Sequence, residues 1–465
     1  MAYDLVVIGT GSGGSVCALR AAQLGLSVAV VEKHPTGAGT RPNDGCIASK
    51  ALLHASERFD EARHGFDALG IGIGAPELDL GAMMKHQSDA ASSYHVGVRS
   101  LLERNKVVVF IGLGSVPNAG KVDIVASDGS RQTLDAKAIC IATGSIAAAM
   151  HGVNVDGRVI VTSQGALNFL QVPERLVVVG AGAIGVELGS IWNRLGAKVE
   201  IVESLDRILP GMDGETARQL QRLLEKQGIT FRLGTTAVGI VATGAGAAIS
   251  VQPADGGDAR ELAADVALVA IGRRPNSEGL GLEDLGVSMS AGGIAVDARF
   301  RTSVPGIYAI GDVVGEPMLA HKAEENGVAL AEIIAGQPGG VNRGFLPRII
   351  YTMPEAAAVG RSEEDLKAAG IAYTVGRFPF TANSRARAMR HTAGFAKVLA
   401  EATTDKVLGV HIVGVNAGDL IAEATLLMEF GGSSEDMART CHAHPTTAEG
   451  LMEAAMAVEG RAIHI

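Results

Sequence analysis

The first thirty residues alternate between short apolar runs and a glycine-rich turn. The apolar run at residues 5–8 predicts a strand, and the alanine-rich residues 15–24 predict a helix. A second apolar run, residues 28–31, predicts another strand that ends at Glu32. Residues 9–14, between the first strand and the helix, have the pattern GxGxxG. The order of strand, glycine turn, helix and strand predicts a βαβ unit.

This unit carries the chemistry of a dinucleotide site. Gly9, Gly11 and Gly14 allow a tight turn and a close approach of the backbone to a pyrophosphate, whose charge is favoured at the helix N-terminus. Glu32, at the end of the second strand, is placed to accept hydrogen bonds from a ribose hydroxyl. We therefore predict that the unit binds a dinucleotide.

The same pattern returns 171 positions later. Residues 176–179 form the apolar run, Gly180, Gly182 and Gly185 repeat the three glycines, and Glu203 repeats the acidic residue. Two complete units predict two dinucleotides, one in each unit. The alternative is that one copy is a structural relic.

The residues around Glu203 indicate which nicotinamide cofactor the second unit prefers. A carboxylate at this position repels the 2′-phosphate of NADP(H). The six residues that follow it offer only one base, Arg207. The second unit is therefore predicted to bind NAD(H).

Composition and charge exclude several classes of protein. A chain of 465 residues is too long for one ordinary core, so several domains are expected. The net charge of −10 argues against a nucleic-acid partner, and every apolar run is too short to span a membrane. The chain enters an apolar run at once, without a basic leader, which predicts no signal peptide and a cytoplasmic protein.

The four cysteines lie far apart and have no metal-type spacing, so neither a metal site nor a secreted disulfide framework is expected. Cys17 falls in a predicted helix and Cys140 in an apolar strand, which favours buried structural thiols. Cys46 differs from these because it stands in a polar, glycine-containing stretch and is followed by Ser49 and Lys50.

The stretch around Cys46, residues 37–56, resembles the redox-active segment of the flavoprotein disulfide reductases, most closely the dihydrolipoamide dehydrogenase type. That family usually has two cysteines five positions apart, which open a helix beside a flavin. The second of them matches Cys46, and the first falls at Arg41. The resemblance implies that this chain keeps only the flavin-contacting cysteine, whose thiolate is favoured by the helix N-terminus.

The resemblance extends over the whole chain and implies further cofactor residues. Asp312 follows a glycine at a strand end and would bind the ribityl chain of FAD. Leu319, Ala320 and His321 would line the isoalloxazine ring. Without the resemblance, Asp312 could equally be a turn former.

Two chain crossings and one ion pair are also implied by the resemblance. Thr143 and Gly144 lie where the chain crosses from the flavin domain to the nicotinamide domain, and Gly272 lies in the return crossing. Lys50 and Glu187 would pair beside the flavin edge. These residues complete the set expected to serve FAD and NAD.

Near the C-terminus, residues 442–449 match the family signature HxHPTxxE. By resemblance, His444 is the acid/base and Glu449 orients it, and the imidazole reaches the cysteine across a subunit boundary. A carboxylate on the second ring nitrogen fixes the tautomer and raises the basicity of the imidazole. The resemblance therefore implies a homodimer.

The predicted fold is α/β, with two Rossmann-like dinucleotide-binding domains and a C-terminal α+β dimerisation domain. The FAD domain takes residues 1–145 and is completed by residues 272–342, the NAD domain takes residues 146–271, and the dimerisation domain takes residues 343–465. Within the NAD domain, residues 243–261 are rich in Gly, Ala and Asp and are predicted to form a surface hairpin.

The leading functional hypothesis is an FAD-dependent, NAD(H)-linked oxidoreductase that acts through one cysteine. Its substrate would be a lipoamide-like dithiol or disulfide, small or carried by a lipoyl protein, or a persulfide. Arg41 is hypothesised to stabilise the Cys46 thiolate and to recruit an anionic substrate. The alternatives are an NADH diaphorase or quinone reductase without thiol chemistry, and a catalytically quiet FAD-binding subunit that docks a lipoyl protein.

Overall fold

A computed structural model describes residues 2–35, 45–290, 292–340 and 344–465. The predicted α/β class is confirmed, since each glycine turn lies in a strand–helix–strand unit whose two strands pair in parallel. The described residues contain twelve α-helices: α1 (Ser12–Gln23), α2 (Cys46–His64), α3 (Leu80–Arg104), α4 (Ser163–Ala166), α5 (Ala183–Arg194), α6 (Gly214–Lys226), α7 (Ala320–Ile334), α8 (Glu363–Ala368), α9 (Ser384–Met389), α10 (Ala417–Glu429), α11 (Ser434–Arg439) and α12 (Glu449–Ala457).

The strands of the described residues are β1 (Tyr3–Ile8), β2 (Val28–Glu32), β3 (Val108–Ile111), β4 (Leu113–Asn118), β5 (Lys121–Val125), β6 (Arg131–Ile141), β7 (Ser145–Ala147), β8 (Ile160–Val161), β9 (Arg175–Val179), β10 (Lys198–Val202), β11 (Thr230–Arg232), β12 (Thr235–Thr243), β13 (Gly246–Pro253), β14 (Arg260–Ala264), β15 (Val266–Val269), β16 (Arg273–Pro275), β17 (Met289–Ser290), β18 (Gly293–Ile294), β19 (Ile307–Ala309), β20 (Arg348–Ile350), β21 (Glu355–Gly360), β22 (Tyr373–Pro379), β23 (Phe395–Glu401) and β24 (Val407–Gly414).

The chain divides into two compact units. The first combines Met1–Ala48, Met84–Ala149 and Gly272–Val341, and the second combines Ser49–Met83, Met150–Ile271 and Asn342–Ile465. Each unit contains one of the two glycine turns. The division into FAD, NAD and dimerisation domains follows different boundaries and stays a prediction.

The first unit is built on one sheet with the strand order β3-β2-β1-β6-β5-β4, and β19 pairs with β6. β1, β2, β3, β19 and the second half of β6 run parallel. Leu5 and Val7 belong to one apolar cluster, while Val6 and Ile8 belong to another. Because β1 is buried on both faces, it reads in the sequence as a continuous apolar run.

The second unit contains a parallel sheet, β11-β10-β9-β15-β8, and an antiparallel C-terminal sheet, β20-β21-β24-β23-β22. α10 packs on β21 and β24, and α12 packs on β22 and β23. The prediction of a surface hairpin at residues 243–261 was wrong in part. β13 is the central strand of the sheet β12-β13-β14, and Ile249 and Val251 are buried in a core cluster.

The structure shows how far the cysteines are buried and whether any helix could span a membrane. Cys17 and Cys140 are fully buried, as expected for structural thiols, and the pKa of the Cys140 thiol is raised by burial and by its contact with Cys17. Among the helices of the described residues, none is both long enough and apolar enough to cross a bilayer.

Candidate active site

The first glycine turn leads directly into α1. Gly9 has a φ of +98°, and a Cβ there would lie 2.5 Å from the carbonyl oxygen of Ala142. A Cβ on Gly14 would lie 1.9 Å from the carbonyl oxygen of Gly9. At Gly11, no described atom lies within 4 Å of the Cβ position. The outer glycines are therefore required by packing, and the middle one leaves space beside the N-terminus of α1.

Glu32 closes this turn from the end of β2. Its Oε2 accepts hydrogen bonds from the backbone N of Thr10 at 3.0 Å and from its Oγ1 at 2.8 Å, and its Oε1 accepts one from the backbone N of His34 at 2.9 Å. The carboxylate is buried and held in one orientation. An acidic acceptor is thus fixed next to the glycine turn.

Asp312 is linked to the two chain crossings by side-chain hydrogen bonds. Ser145 donates its hydroxyl to Asp312 Oδ2 at 2.5 Å, and Arg273 Nε donates to Ser145 Oγ at 2.7 Å. β7 and β16 pair antiparallel, so the outgoing and returning crossings lie side by side. Sequence reasoning missed Ser145 and Arg273 because 167 positions separate Ser145 from Asp312.

The other crossing residues are also held together. Thr143 donates its hydroxyl to the carbonyl oxygen of Asn276 at 2.6 Å, and the backbone N of Asn276 donates to the carbonyl oxygen of Gly144 at 2.9 Å. Gly144 has a φ of +72° and Gly272 a φ of +128°, both in the region that favours glycine. The crossings therefore keep a defined shape beside Asp312.

α7 begins at Ala320, directly after Leu319, and carries His321 in its first turn. His321 Nε2 is buried without a hydrogen-bond partner among the described residues, and so are both amide atoms of the fully buried Asn326. Buried polar atoms without partners are costly. They fit a site completed by a bound polar group, and Asn326 gave no signal in the sequence.

The second glycine turn repeats the geometry of the first. Gly180 has a φ of +107° and its Cβ would lie 2.4 Å from the carbonyl oxygen of Ala270, while a Cβ on Gly185 would lie 2.0 Å from Gly180 O. The Cβ position of Gly182 again has no described atom within 4 Å. Glu203 Oε2 accepts a hydrogen bond from the backbone N of Ala181 at 2.8 Å.

The two turns fit the two dinucleotides that the sequence predicts. Each offers the first turn of a helix, a middle glycine with open space, and a fixed carboxylate acceptor. This donor set suits a pyrophosphate and a ribose. The unsatisfied polar atoms of His321 and Asn326 in the first unit fit the larger, ring-bearing flavin part of FAD.

Lys50 and Glu187 form the predicted ion pair. Lys50 Nζ lies 2.7 Å from Glu187 Oε2, and the Glu187 side chain is 8% exposed. The backbone N of Tyr351 donates to Glu187 Oε1 at 2.9 Å, and Lys50 Nζ lies 4.4 Å from the centroid of the Tyr351 ring. Tyr351, which sequence reasoning missed, therefore holds both members of the pair.

α2 begins at Cys46, whose side chain is exposed, while Ala48 and Ser49 are buried. Tyr94 of α3 lies within electrostatic reach of this thiol. Burial, Glu324 and Cys46 together raise the pKa of the Tyr94 phenol. Arg41, predicted to stand in place of the outer cysteine, lies outside the described residues.

His444 and Glu449 form the predicted pair at the start of α12. His444 Nδ1 lies 2.8 Å from Glu449 Oε1, and the imidazole is 72% exposed. The backbone N of Thr446 donates to Glu449 Oε2 at 2.8 Å. Burial opposes ionisation of Glu449, but the hydrogen bonds from Thr446 and His444 lower its pKa. The ionised carboxylate thus orients the ring and leaves Nε2 facing outward.

In the described part of the chain, no three His, Cys, Asp or Glu side chains lie close enough together to hold a metal ion. The structure therefore offers five elements: two dinucleotide turns, an ion pair beside Tyr351, a cysteine at a helix start and a histidine–carboxylate pair. The roles of the individual residues stay predictions.

Comparison with known proteins identifies the family. The profile of the pyridine nucleotide-disulphide oxidoreductases matches residues 3–327, and the profile of their dimerisation domain matches residues 346–455. Dihydrolipoyl dehydrogenase 3 of Pseudomonas putida is 51% identical over 464 residues, which cover 100% of this chain and 99% of that protein. Leghemoglobin reductase of Vigna unguiculata is 49% identical over 455 residues, which cover 98% of this chain and 87% of that protein.

Among solved structures, LpdA from Mycobacterium tuberculosis has a TM-score of 0.88 and 27% identity, and the match covers 97% of this chain and 98% of LpdA. The predicted resemblance, the FAD and NAD cofactors and the enzyme class are confirmed. The protein is an NAD-linked flavoprotein oxidoreductase of the dihydrolipoyl dehydrogenase type that acts on sulfur groups. The chain belongs to the pyridine nucleotide-disulphide oxidoreductase family.

Proposed function

We propose that this enzyme exchanges electrons between NAD(H) and a disulfide, dithiol or persulfide substrate through one cysteine, Cys46. The observation that carries the proposal is the 2.8 Å pair of His444 and Glu449. An exposed imidazole oriented by a carboxylate serves proton transfer to and from sulfur. A reductase that only passes hydride onward does not need this pair.

In the direction of disulfide reduction, the Cys46 thiolate attacks one sulfur of the substrate disulfide. A mixed disulfide with Cys46 forms, and the other substrate sulfur leaves as a thiolate. His444, protonated at Nε2, donates its proton to that leaving thiolate, and Glu449 stabilises the imidazolium before the transfer. FAD, when bound, would carry two electrons from NADH to the mixed disulfide, so that Cys46 returns to the thiolate and the second substrate sulfur leaves as a thiol.

The remaining residues bind and position the cofactors in this proposal. Gly9, Gly11, Gly14 and Glu32 hold the adenosine and pyrophosphate part of FAD, Thr143, Gly144 and Asp312 hold its ribityl region, and Leu319, Ala320 and His321 line its ring. Gly180, Gly182, Gly185, Glu203 and Gly272 hold NAD. Lys50 and Glu187 form a charged pair fixed by Tyr351, and the resemblance to the family assigns this pair to the flavin.

We further propose that the enzyme is a homodimer in which His444 serves Cys46 of the partner subunit. The match of residues 346–455 to the dimerisation domain supports this assembly. The substrate is a small dithiol or disulfide, or a lipoyl group on a carrier protein.

Restoring a cysteine at position 41 tests the one-cysteine mechanism. Arg41→Cys would place a second thiol five positions before Cys46, the family spacing. We expect the oxidised variant to form a disulfide with Cys46 and to raise turnover with dihydrolipoamide by about tenfold or more, since proximity replaces an intermolecular exchange. Thiol titration of the denatured protein and steady-state kinetics measure both effects.

Asp44→Cys is the matched control, because it adds a thiol with the wrong spacing. It should leave turnover near that of the unmodified enzyme. The unmodified chain has four free cysteines, so the oxidised Arg41→Cys variant should show three free thiols rather than five. Unchanged thiol count and activity in Arg41→Cys would refute the assignment of position 41 and the mechanism built on it.

The second dinucleotide site should select NADH over NADPH. Glu203 is held by the backbone N of Leu205 at 3.0 Å as well as by Ala181, so its charge cannot move away from a 2′-phosphate. Repulsion at contact distance amounts to about 1–4 kcal/mol. Replacing Glu203→Ala together with Ser204→Arg should raise kcat/KM for NADPH by about tenfold or more.

Glu200→Ala is the control for this pair of substitutions, because it removes a carboxylate of β10, three positions before Glu203, that already pairs with Arg232. It should leave the cofactor preference unchanged. Stopped-flow measurement of flavin reduction decides the outcome, and faster reduction of the unmodified enzyme by NADPH would contradict the role of Glu203.

A second candidate function is an NADH reductase that passes electrons to an acceptor without thiol chemistry. The similarity to leghemoglobin reductase of Vigna unguiculata favours this alternative. Cys46→Ser separates the two functions. It abolishes turnover with disulfides in the leading proposal and leaves acceptor reduction intact in the alternative.

A further inference from the structure

A groove of about 480 Å³ lies in the second unit between α6 and the segment that joins β22 to β23. It shares no residue with either glycine turn or with the His444–Glu449 pair. One wall is the exposed face of α6, and the other is formed by residues 379–395.

The α6 wall carries three exposed cations, Arg218, Arg222 and Lys226. They are spaced four residues apart and form a row about 12 Å long on one helix face. Within the described chain, none of the three side chains makes an ion pair or a hydrogen bond. The one acidic lining residue, Glu215, is paired with Arg377 at 2.7 Å and Lys397 at 3.1 Å.

Helix stability does not account for this row. Like charges four residues apart repel each other, and the helix C-terminus favours Lys226 but not Arg218 in the N-terminal half. Glu225 lies three positions after Arg222, yet its carboxylate accepts a hydrogen bond from Gln221 at 2.8 Å. Arg222 and Lys226 therefore stay available to an anion from outside the chain. Arg218 lies near the Glu364 carboxylate, since Glu364 Oε1 and Arg218 Nη1 approach the Cβ position of Gly214 to 2.4 Å and 3.2 Å, but it forms no ion pair with it.

The rest of the groove suits the non-phosphate part of a small ligand. Leu223, Pro379 and Phe395 supply apolar surface, and Thr381 and Thr392 supply hydroxyl groups. Apolar surface combined with a few polar groups, in a volume of about 300–1,000 Å³, is typical of small-molecule sites.

We propose that this groove binds a polyphosphorylated small molecule with an aromatic part, of the nucleoside polyphosphate class. The arginine forks match phosphate oxygens, and the row of three cations matches a chain of phosphates. The protein as a whole carries a net charge of −10, so this positive groove selects anions that the remaining surface repels.

The test is calorimetric titration of the FAD-loaded enzyme, saturated with NAD, with ATP and separately with inorganic triphosphate. We expect one ATP per chain, bound more tightly than triphosphate and more weakly at high salt. Arg218→Glu and Arg222→Glu should each weaken ATP binding by about tenfold or more, the effect of losing one charge-assisted contact.

Arg158→Glu is the matched control, because it reverses an exposed charge of the same unit outside the groove. It should bind ATP like the unmodified enzyme, and far-UV circular dichroism verifies that all variants fold. Unchanged ATP binding in Arg222→Glu, or an equal loss in Arg158→Glu, overturns the proposal. ATP that binds no more tightly than triphosphate overturns the aromatic part, and displacement of NAD by ATP overturns the separate site.

The outcome is independent of the thiol chemistry proposed above. Charge reversal in the groove should leave NADH-dependent flavin reduction and disulfide turnover unchanged when no ATP is present. If the groove does not bind ATP, the one-cysteine mechanism is unaffected. If the one-cysteine mechanism is refuted, the proposal of ATP binding in the groove is unaffected.

Discussion

Replacing His444 by glutamine should lower turnover with a dithiol or disulfide by about 10²–10⁴, the usual contribution of a positioned acid/base group. Glutamine keeps a hydrogen-bonding side chain of similar length, so Glu449 retains a partner at the start of α12. The glutamine side chain, however, cannot exchange a proton with sulfur near neutral pH. Steady-state kinetics with dihydrolipoamide measure the loss.

Reduction of the flavin by NADH should be nearly unchanged in the same variant, because the imidazole serves only the sulfur half-reaction. His64→Gln is a matched control: this exposed imidazole also pairs with a carboxylate, Asp60, at 3.0 Å. Full dithiol activity in His444→Gln would remove the acid/base role and favour the reductase without thiol chemistry.

Mixing variants tests whether the histidine acts across the subunit boundary. Protomers with Cys46→Ser and protomers with His444→Gln are each inactive alone in the proposed mechanism. A mixed dimer contains one site with both native residues only if His444 serves the partner's cysteine. Recovered activity after subunit exchange therefore supports the shared site, and no recovery contradicts it.

The parts of the fold that sequence alone predicts are those encoded locally. The strand, glycine turn and helix at residues 5–24 form one continuous pattern, and the structure has β1 and α1 there. The glycines of the turn are explained by contacts with near neighbours, as the 1.9 Å approach of a Gly14 Cβ to Gly9 O demonstrates. Such constraints act over a few residues, so they leave a readable signature.

Contacts between remote segments leave no such signature. Asn326 lies inside a regular helix, and nothing in its neighbourhood predicts two buried amide atoms that have no hydrogen-bond partner among the described residues. The prediction of a surface hairpin at residues 243–261 was wrong in part for a related reason. Glycine and alanine read as a surface turn, but β13 pairs on both sides and buries Ala247, Ile249 and Val251 against the parallel sheet.

Lys397 also owes its environment to remote segments of the chain, so sequence analysis did not single it out. Its side chain is 0% exposed, and its Nζ lies 2.9 Å and 3.0 Å from the two carboxylate oxygens of Asp213 and 3.1 Å from Glu363 Oε2. Asp213 also caps α6 by accepting a hydrogen bond from the backbone N of Thr216. One lysine on β23 therefore joins the N-termini of α6 and α8 within the second unit.

Charge balance at this buried cluster depends on Lys397. Burial opposes ionisation of Asp213, but the charges of His411 and Lys397 and the lysine's hydrogen bonds lower the pKa of that carboxyl to about 2. Burial lowers the pKa of His411, so at neutral pH the positive charge of the cluster comes from Lys397. Since the folded pKa of Asp213 lies below its ordinary value of 3.8, the cluster stabilises the fold above about pH 4 and loses that contribution as the pH falls towards 2.

Lys397→Met should therefore lower the free energy of unfolding by about 3–5 kcal/mol at neutral pH, because it leaves buried carboxylates without a countercharge. Urea unfolding followed by circular dichroism measures the change. Lys198→Met is the control: this lysine is exposed, its pair with Glu174 spans 3.6 Å, and its loss should cost less than about 1 kcal/mol.

Adding Asp213→Asn to Lys397→Met should recover part of the loss, since it removes one uncompensated charge and keeps a side chain that can cap α6. The pH dependence should also reverse. Without the lysine the pKa of Asp213 rises, so the single variant should become more stable as the pH falls towards 4, whereas the unmodified protein should not. Equal stability of Lys397→Met and the unmodified protein at pH 7 would show that solvent or a rearranged side chain neutralises Asp213, and the buried ion pair would then have no structural role.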